Sequence, residues 1–237
     1  KIKIWNLYSI FTSIATNAKF ADKIRIMVHV GDRTLALDDF SGILYKDKKI
    51  SLDRQAVEKV EINFGFLKKF SSNKLIYGIN TGFGPMAQYK VSEENMLQLQ
   101  YNLIRSHSSG GGNLMSPILV KAVMLARLNS LTKGYSGVHP EVVELLKELI
   151  NNNVTPCIYE HGGVGASGDL VQLAHLGLVL IGEGEVIHEG EVRPTAEVFA
   201  KLKIKPLTIH IREGLAILNG TSAMTGIGML NIIQAQK

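Results

Sequence analysis

The sequence predicts a mainly helical protein with a few short strands, and three observations carry that reading. Apolar residues recur at helical spacing around 57–70, 96–104, 119–131, 142–150, 170–181 and 224–233. Several of these stretches are bounded by helix start signals, such as Ser116-Pro117 and Pro140, and by stop signals such as Gly134 and Asn151-Asn152-Asn153. The runs that read as strands are short, and one pair flanks the turn dipeptide Glu189-Gly190.

Taken in order, Lys1 and Lys3 precede an apolar stretch from Ile4 to Ala15 that loosely imitates a secretory signal, but Asn6, Ser9, Thr12 and Ser13 interrupt it. Residues 1–34 are expected to be an irregular extension, with a weak edge strand over Ile24 to Val30. Leu35 to Tyr45 reads as a short element with Asp38-Asp39 at a helix start. Ser51 is a plausible N-cap for a helix ending near Ser71. Leu75-Ile76-Tyr77 is a short apolar run cut by Gly78 and Gly82-Phe83-Gly84-Pro85, where Tyr77 alone reads as a packed strand residue. Ser92 with Glu93-Glu94 opens a helix to Ile104 that delivers Arg105-Ser106-His107-Ser108-Ser109 into three glycines. Two core helices follow, from Ser116-Pro117 and from Pro140. Glu185 to Pro194 reads as a hairpin, Thr195 as the cap of a short helix through Leu202, and both as surface structure. Leu207 to Ile211 looks strand-like, and Ser222 to Lys237 forms a last apolar helix.

Composition excludes several classes. Hydrophobic residues make up 46% and charged residues 20%, as in ordinary globular proteins. The net charge of +5 is spread over Lys and Arg that often stand beside acids, as in Lys147-Glu148, so no nucleic-acid surface is expected. The single Cys157 rules out an internal disulfide, suits a reducing cytosol and is expected as a buried small hydrophobe. No apolar run reaches the ~18 residues of a membrane span. His161 and His175 stand apart from any cluster with ligand spacing, so no metal site is expected.

The rest of the chain is organised around Gly162-Gly163-Val164-Gly165-Ala166-Ser167-Gly168-Asp169-Leu170. The glycines permit a tight path, Asp169 falls where a helix first turn favours an acid, and the apolar helix pattern from Leu170 puts the loop at a helix N-terminus. Such an end carries unpaired N–H groups and partial positive charge. If a turn presses the Gly168 nitrogen against the Ala166 carbonyl carbon, a five-membered ring closes with loss of water, and the Ser167 hydroxyl leaves as a second water. The product is a 4-methylidene-imidazole-5-one (MIO), an electrophilic alkene. Taken alone, the tripeptide also suits an ordinary turn or a phosphate cradle, although a Lys-Ser/Thr partner for phosphate is missing.

The loop, with Leu173-Ala174-His175-Leu176 and Gly182-Glu183-Gly184-Glu185 behind it, resembles the signature of the MIO-dependent aromatic amino acid ammonia-lyases. Three further segments match in order: Tyr77 to Gly84, Asn102 to His107 and Leu218 to Gly226. The resemblance covers about Leu35 to the end. It implies the MIO-bearing part of the ammonia-lyase fold, with a lyase portion over 35–221, the start of a truncated long helix over 222–237, and no C-terminal bundle of long helices. It also implies a cytoplasmic homotetramer that takes a small amino acid substrate, without nucleic acid or membrane.

The resemblance assigns roles residue by residue. Ala166, Ser167 and Gly168 would form the MIO, Tyr77 would be the base or acid of the elimination, and Asn219, otherwise simply part of a turn with Gly220, would contact the prosthetic group and the substrate amine. His107 would read the substrate side chain, with Gly84 and Leu170 beside the substrate. A phenol is a weak acid, so a tyrosine base near neutrality needs its anion stabilised, for instance by a helix dipole. A histidine at position 107 is typical of family members acting on tyrosine or histidine, because a site built to hydrogen-bond a phenol or imidazole rejects an analogue lacking that group. The segments 84–89 and 105–109 resemble bacterial tyrosine ammonia-lyases more than histidine ammonia-lyases. The expected activity is non-oxidative deamination of an aromatic L-amino acid, tyrosine before histidine. A family aminomutase and a catalytically incomplete remnant are the alternatives.

Overall fold

In the computed structural model, which describes residues 27–72, 74–164 and 168–236, strand β1 (Met27–Val30) runs parallel to β2 (Lys49–Leu52), with helix α1 (Leu37–Tyr45) crossing between them. Residues 24–26 of the expected edge strand lie outside the described residues. Asp39 starts α1 by accepting the Ala36 N–H at 2.8 Å, and Arg33 forks onto the same carboxylate. Ser51 is not a helix cap. It sits within β2 and its hydroxyl bonds His29 Nδ1 at 2.7 Å, while Asp53 caps α2 (Arg54–Phe70) by accepting the Ala56 N–H at 2.9 Å.

The segment 74–92 holds a 3-10 turn at Gly84–Met86 and an isolated antiparallel bridge between Thr81 and Lys90, and Tyr77 lies in a turn rather than a strand. Helix α3 (Glu93–His107) continues through Arg105, Ser106 and His107, which form its last turn rather than a loop. There follow β3 (Gly111–Leu114), α4 (Pro117–Leu131), α5 (Pro140–Asn151), β4 (Thr155–Pro156), β5 (Tyr159–His161), α6 (Leu170–Leu180), β6 (Glu185–His188), β7 (Glu191–Pro194), α7 (Thr195–Leu202), α8 (Glu213–Leu218) and α9 (Ser222–Ala235). Mainly helical architecture with short strands is therefore what the chain adopts. β3 pairs with β5 and β6 lies between β4 and β7, all antiparallel.

The hairpin turns at Glu189-Gly190, both with positive φ (54° and 83°), as a tight two-residue turn requires. It is not merely surface structure. Val186, Val198 and Phe199 are buried in the core, and Thr195 is the first residue of α7 with its hydroxyl on the Gly184 carbonyl at 3.0 Å. Leu207 to Ile211 forms no strand. Its N–H groups go instead to the Leu180 carbonyl, the Tyr101 hydroxyl and the Glu213 carboxylate.

One hydrophobic cluster runs from Val28 and Val30 through the buried faces of α4, α5, α6 and α8 to Ile233 of α9. α4 is buried almost all round, from Val120 to Leu128, and α9 packs along it so tightly that a Cβ at Gly226 would lie 2.6 Å from the Val123 nitrogen. The stretch Glu213–Ala235 has the length and hydropathy of a membrane span, but the backbone leaves the helix at Asn219–Thr221 and residues of both halves line the core. Cys157 is buried as expected, and desolvation pushes its thiol up to about 11.

Candidate active site

The glycine-rich loop leads into the N-terminus of α6, as its composition predicts. Gly165, Ala166 and Ser167 lie outside the described residues, so the structure fixes their flanks. On the entry side, a side chain at Gly162 would meet Val171 at 2.6 Å and one at Gly163 would meet Gln172 at 2.8 Å, which presses this backbone onto α6. On the exit side, Gly168 has φ +97°, and a Cβ there would lie 2.7 Å from the Gly220 carbonyl oxygen. Only glycine satisfies both the dihedral and the space.

Asp169 follows, with a role different from the one its position suggests. It is the N-cap residue of α6, not part of its first turn, and its carboxylate makes no cap bond to its own helix. Its N–H donates to the Gly220 carbonyl at 2.7 Å, and its Oδ2 accepts the Met224 N–H in the first turn of α9 at 3.0 Å. One residue thereby joins the loop to the Asn219-Gly220 turn and to the start of α9.

That turn is gripped from the other side by Arg127, which α4 carries into the core. Its guanidinium donates to the carbonyl of Asn219 at 2.9 Å and to that of Ala216, the last carbonyls of α8. Arg127 is 3% exposed, and burial lowers its pKa to about 10 while the nearby Asp169 charge pulls it back up. It stays a cation at neutral pH. A Cβ on Gly220 would lie 2.2 Å from the guanidinium, so a side chain there would push Arg127 off these carbonyls.

Tyr77 is held at the opposite end of α8. Gly78 (φ +76°) leaves no room for a side chain, since a Cβ would lie 2.1 Å from Leu215 Cδ2. Gln100, fully buried in α3, donates to the Gly78 carbonyl at 3.1 Å and accepts the Leu215 N–H at 3.2 Å. Asn80 clips the same loop by accepting from Ile76 N and donating to the Lys74 carbonyl, both at 2.7 Å. The Tyr77 ring is half-exposed, edge-on to Phe83, with its hydroxyl oxygen 3.5 Å from the Gly84 N–H. Gly84 itself is exposed, with φ +54° and open space around it.

His107, half-buried in the last turn of α3, places Nδ1 2.9 Å from the Leu103 carbonyl. A carbonyl only accepts, so this contact suits a ring whose Nδ1 donates; the Ser106 Oγ lies 3.1 Å from the same nitrogen. The α3 end is anchored by a two-pronged Arg105–Glu183 ion pair at 3.0 and 2.6 Å and by the Gly110 N–H donating to His175 Nε2 at 3.1 Å. His175 is buried, and desolvation holds its pKa below the usual histidine range. Leu170, the first residue of α6, is half-buried against the core.

The structure therefore attaches Tyr77, Asn219 and Gly168 to one short helix, α8, and attaches His107 to α6 through α3. Gln100, Arg127 and the bridging function of Asp169 are not visible in the sequence. Gln100 and Arg127 sit inside helices whose apolar pattern marks them only as scaffold, and no local motif pairs either with a partner far along the chain.

Comparison with known proteins places this arrangement. The chain is 47% identical over 212 residues to a histidine ammonia-lyase of Shouchella clausii, covering 89% of this chain and 42% of that protein. It is 43% identical over 193 residues to a tyrosine 2,3-aminomutase of Chondromyces crocatus, covering 81% and 36%. A crystal structure of a tyrosine aminomutase from Streptomyces globisporus superposes with a TM-score of 0.83 at 37% identity, covering 88% of this chain and 39% of that one. The chain thus spans about two fifths of the length of these relatives. The profile of the aromatic amino acid lyase family matches residues 35–237. By that match, the chain belongs to the aromatic amino acid lyase family.

Proposed function

We propose that the chain furnishes the electrophile-bearing part of a site that removes ammonia non-oxidatively from an aromatic L-amino acid, leaving the trans-α,β-unsaturated acid. The observation that carries this reading is the junction of Gly168, Asp169 and Gly220. It holds the glycine loop and Asn219 together at the positive end of α6.

The described residues fit an MIO group. Gly168 is pressed where no side chain fits, the N-terminal amides of α6 lie beside the loop, and Gln172 Oε1 is buried against Gly163 without a hydrogen-bond partner among the described residues. Ala166, Ser167 and Gly168 would supply the ring, whose electron-poor alkene provides the electrophilic chemistry. Around it, Tyr77 takes the substrate β-proton on its phenolic oxygen, with the Gly84 N–H 3.5 Å from that oxygen. Asn219 orients the amine with a carboxamide that both donates and accepts. His107 accepts a hydrogen bond at Nε2 from a phenol O–H or an imidazole N–H, with Gly84 and Leu170 alongside the substrate. These roles fall within the lyase portion, 35–221. The working enzyme is read as a cytoplasmic homotetramer.

The segments 84–89 and 105–109 favour tyrosine as the substrate, and the 47% identity to a histidine ammonia-lyase favours histidine. The tyrosine aminomutase relatives support a second reading, in which ammonia returns to the β-carbon. Intact mass of the purified protein and ultraviolet assay of the unsaturated acids decide. The expected result is a mass short by two waters in the wild type but not in Ser167→Ala, and product from tyrosine or histidine that is lost in Tyr77→Phe. β-Amino acid product would assign the aminomutase. An unmodified mass with no product from any aromatic amino acid leaves the catalytically incomplete remnant and overturns the proposal.

A further inference from the structure

We propose that His139, Glu141 and His210 form a binding site for one divalent metal ion of the zinc class, which ties the entry of α5 to the segment ahead of α8. His139 precedes α5, Glu141 lies in its first turn, and His210 comes from the irregular stretch 203–212. Glu141 Oε2 is 3.5 Å from His139 Nδ1 and 3.6 Å from His210 Nε2, and the three ligand atoms all lie within 4.8 Å of one another. Four ligands at about 2.0–2.1 Å around a tetrahedral ion sit roughly 3.3–3.4 Å apart. Two edges of such a site are already set, and the third closes by small side-chain rotations.

The backbones of the two histidines are held by one buried acid. Glu213 is fully buried, and its carboxylate accepts the backbone N–H of His139 at 3.1 Å through one oxygen and those of His210 and Ile211 at 3.0 and 2.8 Å through the other. One acid thus fixes both histidine backbones side by side. Phe64 meets both rings edge-on at 5.0 and 5.8 Å, and the rings stand 4.3 Å apart.

The hydrogen bonding at His139 leaves a lone pair facing Glu141. His139 Nδ1 accepts the Glu141 N–H at 3.3 Å, so it carries a lone pair rather than a proton, and that lone pair lies beside a carboxylate oxygen. A carboxylate oxygen beside a nitrogen lone pair is a place where a positive charge is stabilised. The 3.3 Å bond is long, so an ion displaces it at little cost. The Glu141 side chain is 60% exposed, which leaves the fourth position to water. Two imidazole nitrogens and one carboxylate are a donor set that zinc accepts.

The test uses the purified protein, stripped with chelator and titrated with ZnCl₂ by calorimetry at neutral pH, and with CoCl₂ followed by visible absorption. One equivalent is expected to bind with Kd below about 10 µM, with the intense visible bands of four-coordinate cobalt. His210→Ala and Glu141→Gln are each expected to weaken binding at least about tenfold while far-ultraviolet circular dichroism stays unchanged. Glu141→Gln guards against a folding defect in the other variant. Lowering the pH below the histidine range is expected to release the ion, because the imidazoles must be neutral to ligate. Absence of saturable binding, or affinity unchanged in both variants, overturns the proposal. Metal binding is read directly, so the outcome is independent of any lyase activity.

Discussion

The main-chain N–H of Asp169 donates to the carbonyl of Gly220 at 2.7 Å, which fastens the exit of the glycine-rich loop to the turn that carries Asn219. Both sides of the bond are crowded. A methyl at position 168 would strike the Gly220 carbonyl at 2.7 Å, and one at 220 would strike Arg127 at 2.2 Å. Gly220→Ala is therefore expected to destabilise the fold by about 1–3 kcal/mol through overpacking. At roughly 2–4 °C per kcal/mol for a chain of this size, a lower melting temperature by calorimetry checks it. An unchanged melting temperature would show that the turn gives way more easily than its packing indicates.

Arg127→Lys keeps the charge but loses the planar fork that reaches the Ala216 and Asn219 carbonyls together. The buried Ala216 carbonyl left without a donor costs about 1–3 kcal/mol, and the part-buried Asn219 carbonyl less, so the denaturation midpoint in urea should fall. Turnover should fall more than substrate affinity, because the backbone that bears Asn219 loses its clamp. A variant that matches the wild type in both would remove Arg127 from the positioning role.

Gln100→Leu removes the side chain that spans the Gly78 carbonyl and the Leu215 N–H. The isosteric apolar replacement fills the space but strands a buried donor and acceptor, at about 1–3 kcal/mol. The expected signature is faster proteolysis within 74–84 and a drop in turnover, since the Tyr77 loop is no longer tied to α8. Limited proteolysis with mass mapping reads the first effect directly.

The hairpin at Glu189-Gly190 and the Pro-marked starts of α4 and α5 were legible in the sequence, because turn chemistry and Pro at a helix start act over a few residues. The glycine loop was legible for the same reason. Ser51 misled because β2 is defined by its partner β1, about twenty residues away, and nothing nearby in sequence announces that pairing. Leu207 to Ile211 misled in the opposite sense. Its alternation suits a strand, yet Glu213 and Tyr101 supply the acceptors a neighbouring strand would have given. His139 and His210 are far apart along the chain, so a search by ligand spacing passes over them, and only the fold shows Gln100 and Arg127 as clamps rather than helix filler.

Stability should depend on pH through His175. Burial depresses its folded-state pKa below the ordinary 6.5, and its Nε2 accepts the Gly110 N–H, which only the neutral ring can do. Above pH 6.5 the ring is neutral in both states and its contribution is complete. Below that the unfolded chain takes up the proton first, so stability is lost as the pH falls toward the folded-state value. Urea midpoints measured on either side of this window should fall with acidity more steeply in the wild type than in His175→Gln. Parallel slopes would assign the acid sensitivity to other groups.

A helix of six residues has almost no cohesion of its own, so α8 persists because its neighbours clasp it: Gly214 lies against the Gln100 backbone, Leu218 against Gly177, and its last carbonyls on Arg127. Such an element cannot fray from one end while the other stays wound. Its amide protons should exchange with solvent together, in a single opening event, and Tyr77 and Asn219 should lose their mutual alignment in that same event.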